Sequence, residues 1–106
     1  MISLRQLSYL LALEEHQNFT RAAESVHISQ SALSQQIKEL EAGLGAALLA
    51  RSGKGFSFTR LGRDVLARAG TIKDLVEEIE IAARASHALP QNLSIGVIPT
   101  LSLIHI

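Results

Sequence analysis

The stretch Phe19–Leu44, FTRAAESVHISQSALSQQIKELEAGL, sets the tightest limit on what this chain can fold into. It holds two helical patterns with only a few residues between them. Ala22, Ala23 and Val26 share one side of the first. Leu33, Ile37, Leu40 and Leu44 are spaced four, three and four apart, which is one face of an α-helix. Between the two, His27 and Ile28 lead into Ser29. A serine there can accept a hydrogen bond from an orphan amide of the next helix's first turn. Two short helices joined by a tight turn form a helix-turn-helix, whose second helix can enter the major groove of DNA.

The side of the second helix opposite its leucines carries Gln30, Ser31, Ser34, Gln35 and Lys38. A solvated helix face is ordinarily rich in paired Glu and Lys. Here amides and hydroxyls prevail for two turns, and Glu39 and Glu41 come only later. Glutamine can make two hydrogen bonds to an adenine edge, and serine can reach base or phosphate. The competing reading is a polar surface helix in some other small bundle.

Net charge is zero, with 10 Lys or Arg and 10 Asp or Glu. The distribution matters more than the sum. Residues 1–63 hold seven bases against five acids, and residues 64–106 hold three against five. Gly43–Arg63 contains Arg51, Lys54, Arg60 and Arg63 and no acid. It is the local patch that sets the field a phosphate feels. With no cysteine, disulfides and thiolate metal sites are excluded. No signal peptide is visible, and no run reaches the ~18 apolar residues of a membrane span. A cytoplasmic location is the expectation. The histidines lack metal-site spacing, so no metal or cofactor is expected. Neither a glycine-rich phosphate loop nor a nucleophile with a neighbouring base is present, which argues against an enzyme.

Ser3 and Gln6 fit a capping box at the head of a helix reaching about Glu15, with Leu4, Leu7, Leu11 and also Leu10 directed inward. Asn18 caps the next helix. Amides, a hydroxyl and a guanidinium converge at Thr20 and Arg21, which suits a phosphate; the alternative is pairing of Arg21 with Glu24. Gly43 and Gly45 end the groove-facing helix. Arg51-Ser52-Gly53-Lys54-Gly55 is a turn signal before Phe56-Ser57-Phe58, so a two-stranded hairpin is expected, with both rings inward and Ser57 outward. Arg51, Ser52 and Lys54 then stand at or near its tip, either as ordinary surface groups or lying on DNA phosphates.

Thr59 caps a long helix over residues 60–88, about 43 Å at ~1.5 Å per residue. Val65, Ala69, Ile72, Val76, Ile79 and Ala83 form a heptad seam. Such a stripe seeks a second chain, unless it packs on its own core. Leu89-Pro90-Gln91-Asn92 reads as a hinge and Leu93–Ile98 as a short strand.

Taken together, Leu4-Arg5-Gln6-Leu7, Phe19-Thr20-Arg21-Ala22-Ala23-Glu24, Ser29-Gln30-Ser31-Ala32-Leu33-Ser34, Gln36-Ile37, Leu40-Glu41, Leu44-Gly45, Leu48, Arg51, Gly55 and Thr59 resemble the N-terminal domain of LysR-type transcriptional regulators. The resemblance covers about the first 90 residues. It departs at Ser31, where that family usually has proline, and at Leu49-Ala50, where it often has phenylalanine and an acid. The departure at Gln35, where the family often has arginine or another polar residue, bears on base preference and not on the fold.

The resemblance implies a mainly α fold: a winged helix-turn-helix over residues 1–59, three helices and a β-hairpin wing, then a long dimerisation helix over 60–88. Residues 89–106 would be the hinge and first strand of an effector-binding domain that cannot form from so few residues, as in a chain cut or truncated near that boundary. The family implies binding of double-stranded promoter DNA as a dimer or higher oligomer, through antiparallel pairing of the long helices. Gln30, Ser31, Ser34 and Gln35 would read bases. Thr20, Arg21, Lys38, Arg51, Ser52 and Lys54 would contact the backbone. In a longer chain, Thr100 would border a small-molecule effector pocket. The rival from another class is a protein-interaction module built on a winged helix, which an acid-rich second helix would have favoured.

Overall fold

A computed structural model of the chain describes residues 1–53 and 55–88. The expectations for Lys54, for the hinge and strand over 89–106 and for Thr100 lie outside those residues. The elements run α1 (Leu4–His16), α2 (Phe19–Ser25), α3 (Gln30–Leu44), β1 (Leu49–Ser52), β2 (Gly55–Phe58) and α4 (Arg60–Ala88). Two compact units divide the chain, Met1–Lys73 and a second beginning at Asp74.

Local chemistry sets each helix boundary. Ser3 Oγ accepts from the Gln6 amide, and Gln6 Oε1 accepts from the Ser3 amide, both at 3.1 Å, closing the capping box. Gln17, at φ 53°, ends α1 in the left-handed conformation, with its amide donating to the Leu13 carbonyl. Asn18 Oδ1 accepts from the Arg21 amide at 2.9 Å and starts α2. His27 also takes positive φ, 62°, which turns the chain sharply before Ser29. Ser29 Oγ then accepts from the Ala32 amide at 3.1 Å and starts α3. Gly45, at φ 73°, ends α3. Gly43 lies within the helix and does not terminate it; a Cβ there would stand 3.3 Å from Ile2 Cγ2.

The core is one cluster. Leu7, Tyr9, Leu10, Ala12 and Leu13 come from α1, Ala22 and Ala23 from α2, and Leu33, Ile37 and Leu40 from α3. Leu48, Leu49, Leu66 and Ala69 complete it. Each fully buried leucine contributes about 1.5–3 kcal/mol by leaving water. The expected inward position of Leu4 is corrected, since it is 58% exposed. At about 100° per residue, Leu4 lies about 120° around the helix from Leu10, the fully buried centre of the stripe.

The hairpin is antiparallel, with Leu49 opposite Phe58 and Arg51 opposite Phe56. Phe56 and Phe58 are half-buried and Ser57 is exposed, as alternation requires. The hairpin is held at its base. Glu41 Oε2 accepts from the amides of Leu48 (2.7 Å) and Leu49 (3.1 Å). The Thr59 amide donates to the Leu48 carbonyl at 2.9 Å, and Thr59 Oγ1 donates to the Ala47 carbonyl at 2.8 Å. The same Oγ1 accepts from the Gly62 amide at 3.0 Å, which caps α4.

The seam along α4 is split. Ala69 is 2% exposed within its own chain's core, and Val65 and Ile72 pack against that core. The expected use of Ala69 as dimer surface is therefore corrected: its side chain is already covered. Val65 and Ile72 also spend part of their surface within the chain. Among residues 75–83 the exposures are the reverse, 52% for Leu75, 68% for Ile79 and 57% for Ile81. Val76 is half-buried and Ala83 exposed.

Candidate nucleic-acid interface

The N-terminal half of α3 presents a polar face. Ser29, Gln30, Ser31, Ser34, Gln35 and Lys38 line one shallow, open depression. The four expected base-reading residues are thus brought together, with Lys38 beside them. The spacing explains this, because positions 31, 34, 35 and 38 fall three and four apart on the side opposite Leu33, Ile37 and Leu40. The first turn holds no acid. Helix start, hydroxyls and amides can therefore approach a phosphate-lined groove without a fixed negative charge in front.

The side chains on this face are tied to one another. Thr20 Oγ1 donates to Gln30 Oε1 at 3.1 Å, which joins the start of α2 to the start of α3 and leaves the Gln30 Nε2 group facing away from Thr20. Ser29 Oγ and Ser31 Oγ lie 3.3 Å apart. Gln35 Nε2 donates to Glu39 Oε2 at 3.1 Å, one helical turn on. Lys38 is exposed.

Of the expected backbone-contacting residues, Arg51, Thr20 and Arg21 lie at or next to Phe19. The Arg51 guanidinium lies over the Phe19 ring, 5.1 Å from its centroid. Phe19 meets Phe56 edge-on at 5.2 Å, and Phe56 meets Phe58 in the same way at 5.6 Å. Thr20 and Arg21, next along α2, are exposed. The hairpin's cation is thereby drawn beside the first turn of α2, held by ring quadrupole and apolar contact. Arg21 does not pair with Glu24; the ion pair among the described residues joins Arg68 to Asp64 at 2.8 Å. Ser52 ends β1 opposite Gly55 and is exposed. Arg63 Nη1 donates to the Phe58 carbonyl at 2.9 Å, so this base serves the hairpin–helix junction.

Two contributors escaped the sequence reading. Glu39 follows the polar face in sequence, and only its spacing of four from Gln35 points to the contact between them. Phe19 as a platform for Arg51 needs a contact across 32 positions of the chain, and no local pattern signals that.

The description "Bacterial regulatory helix-turn-helix protein, lysR family" matches residues 4–63 of the sequence. The chain belongs to the LysR family. Among curated LysR-family relatives, the "Hydrogen peroxide-inducible genes activator" of Dickeya chrysanthemi is 42% identical over 100 residues, covering 93% of this chain and 33% of the relative. The chain spans about a third of the length of such relatives. Two solved structures share its fold. One is the "CbnR_DBD-DNA complex", with a TM-score of 0.72 at 36% identity over 80% of this chain and 98% of that one. The other is the "BenM_DBD/catB site 1 DNA Complex", with a TM-score of 0.77 at 32% identity over 83% and 99%. The match covers all the elements that build the LysR-type helix-turn-helix and wing, α1 to the start of α4. Among the described residues, no helix is long and apolar enough to cross a membrane.

Proposed function

We propose that this chain is the DNA-binding and dimerisation portion of a cytoplasmic transcription regulator, that it binds double-stranded promoter DNA as a dimer or higher oligomer, and that it performs no catalysis. One observation carries this reading: Gln30, Ser31, Ser34, Gln35 and Lys38 share one open face at the start of α3, whose first turn holds no acid. The likeness to two domains solved on DNA supports it. Gln30, Ser34 and Gln35 read base edges with Ser31 in support, and Thr20, Arg21, Lys38, Arg51, Ser52 and Lys54 hold the backbone. A small-molecule effector enters this reading only for a chain of the relatives' length.

The dimer forms through the second half of α4. Val76, Ile79 and Ala83 remain as its seam, with Leu75 beside it, while Val65 and Ile72 contribute only what their own core leaves free. Antiparallel pairing about a two-fold axis repeats each of these contacts.

Two variants test the assignment. Gln35→Ala is expected to cost about 1–3 kcal/mol at one base pair and to relax preference there. Equal weakening on every sequence in a gel-shift series would remove Gln35 from base readout. Arg51→Ala is expected to weaken binding to all sequences and to lower the slope of log affinity against log salt by about one unit. An unaltered slope would place Arg51 off the DNA.

A further inference from the structure

The two glutamines of the α3 face are each held by one end of the amide. Thr20 Oγ1 donates to the oxygen of Gln30. Glu39 Oε2 accepts from the nitrogen of Gln35 at 3.1 Å. A carboxylate has only acceptors, so the amide nitrogen of Gln35 is the end that must face it. The reversed amide would set its oxygen against the Glu39 carboxylate. With one N–H committed, Gln35 keeps its whole oxygen and one further N–H for a ligand.

We propose that Glu39 is a positioning residue which fixes the polarity of the Gln35 amide, so that the base read by Gln35 must carry an exocyclic amino group. This rests on the reading of Gln35 as a base-contacting residue. In the major groove, adenine offers an amino donor beside the N7 acceptor, which takes up both the free oxygen and the free N–H of Gln35. Cytosine offers the amino donor alone. Guanine presents O6 and N7 and thymine presents O4, all acceptors, so each leaves the forward oxygen of Gln35 unsatisfied. An unlocked glutamine could turn its nitrogen toward those acceptors. Exclusion of water on docking strengthens the Gln35–Glu39 bond, because the competing solvent and its dielectric screening are removed. Glu39 therefore narrows base choice without touching the base.

The test uses the whole chain and a pool of DNA duplexes with a randomised central segment. Selection on the wild type and on Gln35→Ala identifies the base pair that depends on Gln35. Four duplexes differing only at that pair are then titrated against wild type, Glu39→Ala and Glu39→Gln. The wild type is expected to favour adenine, then cytosine, on the strand that Gln35 meets. Glu39→Ala is expected to reduce the ratio of adenine to guanine affinity by about three- to tenfold, the order of one hydrogen bond. Glu39→Gln, which keeps an acceptor oxygen but loses the charge, should reduce it less. A role of charge alone would raise affinity for all four duplexes together in both variants and leave the ratios unchanged; that result overturns the proposal. So does a wild-type preference for guanine or thymine at that pair. If Gln35→Ala changes no base preference, Gln35 is not a base reader, and that underlying reading falls with the proposal resting on it.

Discussion

Gly62→Ala is expected to lower folding stability by about 3 kcal/mol, read as a fall in the urea midpoint with an unchanged slope. A Cβ at residue 62 would stand 2.2 Å from the Leu48 carbonyl oxygen, 3.1 Å from its carbon and 3.3 Å from Phe58 Cβ. The obstacle is backbone, so no rotamer change relieves it. Nor is that backbone free to retreat. The Leu48 carbonyl accepts from the Thr59 amide, and the Leu48 amide donates to Glu41. Relief would separate α4 from the hairpin and break those bonds, or displace Leu48, which is fully buried. Gly70 is the control. It lies in the same helix with nothing within 4 Å of a Cβ. Gly70→Ala should stabilise by up to about 1 kcal/mol, the helix-propensity difference. Equal midpoints for the two variants would show that the junction yields easily.

The outline of this fold is legible in local signals. Ser3, Asn18, Ser29 and Thr59 each cap the helix they precede, because a side-chain oxygen beside an orphan amide is a local event. The leucine spacing of α3 fixes its buried face, and with it the polar one. Contacts between distant segments are hidden from such reasoning. Leu48 gives no sign in sequence that Glu41, Thr59 and Gly62 all meet at it. The heptad spacing on α4 shows a similar gap. Periodicity states which residues share a face, not what covers them. Ala69 and Ile79 fit the same pattern, yet one is 2% and the other 68% exposed. Of the candidate interface, the grouping of Gln30, Ser31, Ser34, Gln35 and Lys38 follows from helical spacing alone. The stacking of Arg51 on Phe19 follows from how the hairpin meets α2.

That contrast between Ala69 and Ile79 sets the second large expectation. Ile79→Asp is expected to convert the dimer to monomers at micromolar concentration and to weaken binding to a two-half-site duplex by about 100-fold or more, as the second contact ceases to be intramolecular. In the proposed dimer, apolar burial between the α4 helices would supply the attraction, at about 25 cal/mol per Å². A carboxylate at residue 79 would enter that seam with no partner, and burying it would be costly. Since Ile79 is 68% exposed, the core of Met1–Lys73 should be untouched, and helicity and urea midpoint should report a folded chain. Sedimentation of both proteins decides the matter. A monomeric wild type, or a variant that still sediments as a dimer, would show that this stretch of α4 does not join two chains.

The knot of bonds at Ala47–Leu48 makes different parts of the hairpin unequal in their tolerance to a change of length. The base is gripped on both sides by Glu41 and Thr59, so one residue added between Gly45 and Leu49 would break the register of three elements at once. Those bonds lie at the base of the hairpin, whose strand pairing runs out to Ser52 and Gly55. Related sequences can therefore lengthen or shorten the hairpin at its far end without disturbing its root or the polar face of α3. Variation in this lineage should accumulate as insertions at the tip and only as like-for-like exchanges at the root.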